Sequence, residues 1–318
     1  MAGNIIVWLV LVALAVLAGW RVWRAWHIKR AWLKWSATPL LGLLTMLLAL
    51  IGILVGVGIV KAYGPRGNPV VDRTVESTPE RIARGEHIAR VICSSCHSQV
   101  PGELPLSGGK DLLADIDIPL GVATAPNLTP GGRIDEWTDG ELQRVIREGT
   151  YPNGHLMTIM GSQTFRIFSQ EDLDSIVSYL RSQPTVESAE EPKQSLSPIA
   201  MVMLTLGAVP VKPVPDPEIP PAVPRGPTAE YGGYIAGFVD CALCHGDGLS
   251  GGTEPFLPLG PNLVTVKSWT AEQFIATMRT GVSPTRGPLD PVEMPWESFG
   301  LLDDDELTAL YEYIKSVR

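Results

Sequence analysis

The sequence predicts an all-α protein: an N-terminal two-helix transmembrane hairpin followed by two small helical domains in tandem. Three observations carry this expectation. Two long apolar runs open the chain, the stretches on either side of a proline-dense linker repeat each other, and each copy contains a Cys-x-x-Cys-His motif. The elements are a hairpin anchor (1–61), a connector (62–77), a first domain (78–184), a Pro-rich linker (185–225) and a second domain (226–318).

The first apolar run, Ile5–Trp20, has sixteen residues without a charge and extends to Trp23 if Arg21 snorkels towards the interface. The second, Pro39–Val60, has twenty-two, enough for a helix of about 33 Å that crosses a bilayer core. Between them lie Arg21, Arg24, Lys29, Arg30 and Lys34, interleaved with Trp23, Trp26, Trp32 and Trp35. Such a short basic segment belongs in the cytoplasm, and the tryptophans form an interfacial belt. The expected localisation is therefore the cell inner (plasma) membrane, multi-pass, with both termini and everything after Lys61 on the periplasmic side. A cleaved signal peptide is the competing reading. No basic residue precedes the first run and no small-residue cleavage site follows it, so the hairpin is expected to be retained.

Charge is unevenly distributed. Residues 1–77 hold eight Lys/Arg against two Asp/Glu, while the whole chain carries a net −9, so the remainder carries −15. A basic anchor joined to an acidic body lacks a nucleic-acid footprint, and no nucleic-acid partner is expected.

The repeat is read from matched spacings. Each copy begins with a short helix before its Cys-x-x-Cys-His, entered at Thr78-Pro79 and after Pro227. Pro-Asn-Leu follows at 126–128 and 261–263, and Trp-Thr opens a helix at 137–138 and 269–270. A bulky apolar residue stands five positions past each Trp (Leu142, Phe274) and a glycine twelve past (Gly149, Gly281). A final amphipathic helix places Leu173, Ile176, Val177 and Leu180 in register with Leu307, Leu310, Tyr311 and Ile314. Ser169 with Asp172 and Asp303 with Glu306 are expected to start these helices as capping boxes. The proline-dense part of the linker, 209–227, is expected to be extended. The apolar stretch Ile199–Val209 is too short to span a membrane and is expected to pack on a domain or partner surface.

All four cysteines lie in the two motifs, Cys93-Ser94-Ser95-Cys96-His97 and Cys241-Ala242-Leu243-Cys244-His245. Two thiols three residues apart can each add to one haem vinyl group, and the adjacent His then presents its imidazole to the iron. The motifs therefore predict two covalently bound haem c groups attached through Cys93, Cys96, Cys241 and Cys244, with His97 and His245 on the iron. A four-thiolate zinc site is the rival. It is disfavoured by the 144 residues between the pairs, by their place in repeated units and by the following histidines.

Only five histidines exist. With His27 on the cytoplasmic loop and His87 expected on the solvent face of a first helix, only His155 is spare, so two bis-histidine haems are impossible within the chain. Methionine is the alternative sixth ligand and raises the reduction potential. Met294 stands nine residues before Asp303 and thirteen before Leu307, and Met160 stands nine before Ser169 and thirteen before Leu173. Met157 does not keep this spacing. Met160 and Met294 are the expected ligands, and Met157 is expected to fill core space. The Pro126 and Pro261 carbonyls are candidate acceptors for the proximal His Nδ1–H. Trp137 and Trp269 are read equally as propionate partners or as helix-start core residues.

This set of motifs resembles class I cytochrome c domains over residues 78–184 and 226–318. In detail it is similar to the tandem domains of membrane-bound cytochrome c subunits of bacterial alcohol and aldehyde dehydrogenases. The resemblance implies two small all-α domains wrapped around haem with His/Met ligation. Those subunits usually carry three haems, a C-terminal anchor and Met-Pro in the ligand loop, whereas this chain has two motifs, an N-terminal anchor and Met160-Gly161. An N-terminal anchor before two such domains is also similar to the dihaem subunit of high-affinity haem-copper oxidases.

The expected function is electron relay along the outer membrane face within a respiratory or photosynthetic complex, as a subunit without catalysis of its own. The expected partners are other subunits of a membrane redox complex, redox donor and acceptor proteins, and the bilayer. A cytochrome subunit of a periplasmic dehydrogenase is the alternative. A dihaem enzyme such as a peroxidase is disfavoured by the two methionines, because catalysis needs an open iron.

Overall fold

A computed structural model describes residues 1–160, 165–187, 193–209, 211–253 and 259–317. Helices α1 (Ala2–Trp26) and α2 (Ala31–Tyr63) pack along each other as a hairpin joined by residues 27–30. Both are long and apolar enough to cross a membrane, and large apolar side chains such as Leu9, Val16, Leu40, Leu47 and Ile53 stay exposed on them. The basic segment is mostly helical rather than a loop. Arg21 and Arg24 sit on the last turns of α1, and Lys34 on the first turn of α2. Lys34 Nζ lies 4.0 Å from the Trp26 ring centre and the Arg24 guanidinium 4.8 Å from that of Trp20, so the cations rest on tryptophan faces.

The first repeat follows an extended connector. Helix α3 (Pro79–Ile88) starts at Thr78, whose hydroxyl accepts the Arg81 N–H, with Pro79 in the first turn where its missing donor costs nothing. It runs through a π-turn at Ala89–Cys93 into the short α4 (Ser94–His97). After strand β1 (Gly121–Ala123), α5 (Asp139–Glu148) opens on a Thr138/Glu141 capping box and closes at Gly149 in the left-handed conformation. The final helix of this repeat is α6 (Gln170–Ser182). Strand β2 (Gln194–Leu196) then pairs antiparallel with β1, Gly121 opposite Leu196, and leads into α7 (Pro198–Leu206).

The second repeat rebuilds the same order. Helix α8 (Ala229–Phe238) starts at Thr228, and α9 (Cys241–His245) carries the motif. Helix α10 (Ala271–Thr280) has a Thr270/Gln273 capping box and ends at the left-handed Gly281. A small ladder of β3 (Val282–Ser283) and β4 (Gly287–Pro288) precedes α11 (Trp296–Phe299) and the closing α12 (Asp304–Ser316).

In both repeats the first helix crosses the last at a glycine. A Cβ on Gly85 would lie 1.9 Å from the Ser175 carbonyl oxygen, and one on Gly232 would lie 1.9 Å from that of Ala309. The backbones touch, so the apolar faces of α3 on α6 and α8 on α12 close without a gap. The two repeats also share one continuous core, with Ile88, Leu173 and Ile176 from the first joined to Ile235, Leu307 and Leu310 from the second.

A buried polar seam runs through this shared core. Arg84 donates from Nε to Asp172 Oδ1 at 2.8 Å and from Nη1 to Glu306 Oε1 at 2.9 Å. The Tyr234 hydroxyl donates to Asp172 Oδ2 at 2.7 Å, and the Tyr231 hydroxyl donates to Glu306 Oε1 at 3.2 Å. Asp172 and Glu306 hold the same position of the two final helices. The Asp303/Glu306 capping box forms in full, while at Ser169 only the hydroxyl arm forms, because the Asp172 carboxylate turns to Arg84 and Tyr234. His87 lies in this seam instead of on a solvent face. Its Nε2 is 2.6 Å from Glu306 Oε2, and the ring is mostly covered.

The apolar stretch after β2 forms α7, which packs on α2 around Val55, Ala62, Met201 and Leu204. Thr205 Oγ1 donates to the Leu54 carbonyl at 2.7 Å, and Asn4 Nδ2 donates to the Leu196 carbonyl at 2.8 Å. Leu156 N–H reaches the Ala62 carbonyl at 3.2 Å, seating the first repeat on this end of the hairpin. The described part of the proline-dense segment, 211–227, is free of helix as expected, and arginines strap it down. Arg147 donates to the carbonyls of Asp216, Pro217 and Glu218, and Arg166 to that of Pro213.

Candidate haem sites

Each motif ends a short helix and turns its histidine inward. His97 and His245 are both buried. His97 Nδ1 lies 2.9 Å from the Pro126 carbonyl oxygen and His245 Nδ1 lies 2.7 Å from that of Pro261. A carbonyl only accepts, so in both rings Nδ1 carries the proton and Nε2 keeps its lone pair for a metal. Burial pulls both imidazoles below their ordinary pKa, and the carbonyl contact opposes it, so each ring is neutral and able to ligate. The loops after the motifs are pinned alike: Gly108 N–H donates to the His97 carbonyl at 2.8 Å, and Gly251 N–H to that of His245 at 2.7 Å.

Burial pushes the Cys93 thiol up to about 12, with the neighbouring Cys96 adding to it, and pushes Cys241 up to about 12 with help from Asp240. Among the described residues, the side chains of His, Cys, Asp and Glu that converge in a group of three or more are His87, Asp303 and Glu306, with no cysteine among them.

The methionines differ in setting. Met157 is buried and its N–H donates to the Gly149 carbonyl at 2.8 Å, matching Leu289, whose N–H donates to the Gly281 carbonyl at 2.7 Å. The backbone thus pairs Met157 with a leucine in the other repeat, in keeping with a space-filling role. Met160 is half-buried at the start of the following turn, and Gly161 lies outside the described residues. Met294 is half-buried against the core, with its carbonyl accepting the Trp296 N–H. His155 packs edge-on to Tyr63 with ring centres 6.1 Å apart, at the end of α2.

A porphyrin fits the donors present. Two neutral imidazoles with Nε2 available, each preceded by the two thiols of its motif, are the attachment and ligand groups that haem c uses on one face. Trp269 adds an independent sign: its Nε1 is buried and without a hydrogen-bond partner among the described residues, as a donor meant for a propionate would be. The Trp137 ring lies edge-on to Tyr151, with centres 6.4 Å apart.

A family model described as cytochrome c oxidase, cbb3-type, subunit III, matches residues 80–180 and 233–314. The chain belongs to this cytochrome c family. It is similar to the gluconate 2-dehydrogenase cytochrome c subunit of Pantoea cypripedii, at 26 % identity over 273 residues that cover 74 % of this chain and 59 % of that one. It is also similar to the fructose dehydrogenase cytochrome subunit of Gluconobacter japonicus, at 32 % identity over 111 residues, 30 % of this chain and 23 % of that one. The chain thus spans less than two thirds of the length of either relative. Membership makes the protein an electron-transport cytochrome with covalently bound haem c, and the two apolar helices are compatible with a membrane anchor.

Sequence reasoning missed the seam of Arg84, Tyr231, Tyr234 and His87. A signal existed: Asp172 and Glu306 recur at one repeat position, and an arginine and a tyrosine occupy matching positions of the first helices one residue before the crossing glycines.

Proposed function

We propose that this cytochrome carries two haems, one per repeat, and relays electrons along the outer face of the membrane for a larger redox complex. The observation that supports this best is the matched pair of buried histidines, each with Nδ1 tied to a Pro-Asn-Leu carbonyl. Bound haem c would supply one-electron exchange between ferrous and ferric iron. Cys93, Cys96, Cys241 and Cys244 would tether it, His97 and His245 would ligate one face, and Met160 and Met294 the other. The hydrogen bonds to Pro126 and Pro261 fix the ring orientations and raise imidazole basicity. The helices of the two repeats pack on one shared core, so the relay would have fixed geometry.

The hairpin would cross the inner membrane twice with its basic turn in the cytoplasm, placing both modules in the periplasm. Because the first repeat rests on the hairpin end through Leu156 and Ala62, its haem would lie nearer the membrane than the second. The similarity to gluconate and fructose dehydrogenase subunits favours a periplasmic dehydrogenase as the parent complex over an oxidase.

Purification of the membrane-extracted protein in mild detergent tests this. The expected result is copurification with a large dehydrogenase subunit whose substrate reduces both haems. Isolation as a lone chain whose iron rapidly binds carbon monoxide would instead indicate an open, catalytic haem.

A further inference from the structure

At the hairpin end that carries the first repeat, a cleft of about 470 Å³ lies between the last turn of α2, the C-terminal end of α7 and the start of the extended linker. Its apolar wall is Val60, Leu204 and Val211, and its cations are Lys61, Arg66 and Lys212. Lys61 Nζ donates to the Leu204 and Thr205 carbonyls at 3.1 and 3.2 Å, which caps α7 and leaves one N–H. Arg66 spends one nitrogen on the Lys212 carbonyl at 3.2 Å, while its Nε is buried without a hydrogen-bond partner among the described residues. The Lys212 ammonium has no acidic partner among them.

One carboxylate, Glu148, opposes with its charge the lowering of pKa that burial imposes on Arg66. Glu148 is held by the Asn68 N–H and Nδ2, both at 2.9 Å. Arg166 has its pKa lowered by burial first and then by the charge of Arg66, with Asp240 opposing. Three cations with unused donors over an apolar wall suit an anion joined to a hydrocarbon body.

The level of the cleft names the source. Val60 is the last residue of the uncharged run of α2 and Lys61 the first charge after it. Alongside, α7, uncharged and apolar but for Thr205, exposes Ile199 and Leu206. We propose that Lys61, Arg66 and Lys212 bind the phosphate of an anionic phospholipid whose acyl chains run down α2 and α7, fixing the first repeat to the membrane surface. This rests on the hairpin crossing the bilayer.

The test uses the full-length holoprotein, delipidated in detergent, with native mass spectrometry against phosphatidylglycerol and phosphatidylcholine. Phosphatidylglycerol is expected to bind about tenfold tighter. The double variant R66Q/K212Q should lose that preference, and K212Q alone, whose ammonium supports no internal contact, should weaken it. Equal binding of the two lipids by the wild-type chain, or an unchanged preference in both variants, overturns the proposal. Displacement of phosphatidylglycerol by millimolar inorganic phosphate also overturns it, since the site would then hold free phosphate. Failure of the hairpin premise reads out separately, as a chain that stays soluble without detergent.

Discussion

Arg84 of the first repeat donates to Glu306 of the second at 2.9 Å while holding Asp172 of its own repeat at 2.8 Å. One guanidinium thus serves the matching acidic positions of both final helices, and all three groups are buried. A buried charge is costly unless paired, so this contact ties the packing of one module to the other.

Removing the arginine should therefore unsettle both repeats together. Arg84→Met is expected to lower stability by about 3–5 kcal/mol, because two carboxylates lose their partner. Denaturant unfolding of the two modules, followed by the separate Soret signals of single-haem variants, should show both midpoints falling.

The seam also gives acid sensitivity a sign. Burial alone would raise the Glu306 carboxyl, but the hydrogen bond and charge of His87, and then Arg84, hold it at about 2, below its ordinary 4.5. A depressed carboxylate contributes stability above its unfolded value, and that contribution disappears as pH falls through the folded value. Wild-type stability should drop between about pH 5 and pH 2. Glu306→Gln should start lower and show a flatter slope across that window.

At the helix crossings two effects compete. Gly→Ala inside a helix ordinarily gains up to about 1 kcal/mol from propensity. At Gly85 and Gly232 the added Cβ would meet a carbonyl oxygen at 1.9 Å, so overpacking prevails. Gly85→Ala and Gly232→Ala should each cost roughly 1–3 kcal/mol or more, read as a lowered thermal midpoint of the holoprotein.

The three methionines should separate in redox titrations. Met160→Leu is expected to lower the potential of the first haem and Met294→Leu that of the second, because thioether ligation raises it. Met157→Leu should leave both potentials in place and cost less than about 1.5 kcal/mol, as a near-isosteric core change.

Much of this architecture was legible because it is written in short-range chemistry. The capping residues Thr138 and Thr270, the Trp-Thr starts and the left-handed closures at Gly149 and Gly281 are local signals. The contacts of His97 and His245 with the Pro126 and Pro261 carbonyls followed from the recurrence of the motif and of Pro-Asn-Leu. What was hidden depends on contacts between distant segments. His87 has an ordinary helical context, and only the shared core of the two repeats brings Glu306 to it across 219 residues. The descent of α7 onto α2 and the arginine straps on 212–218 are likewise invisible to periodicity, because carbonyl acceptors carry no side-chain signature.

The measurement that bears most directly on the central claim is the intact mass of the denatured protein isolated from membranes. Covalent attachment at Cys93/Cys96 and Cys241/Cys244 requires the mass of the polypeptide plus two haems. The double substitutions C93A/C96A and C241A/C244A should each remove one. A wild-type mass with one haem or none would contradict the account.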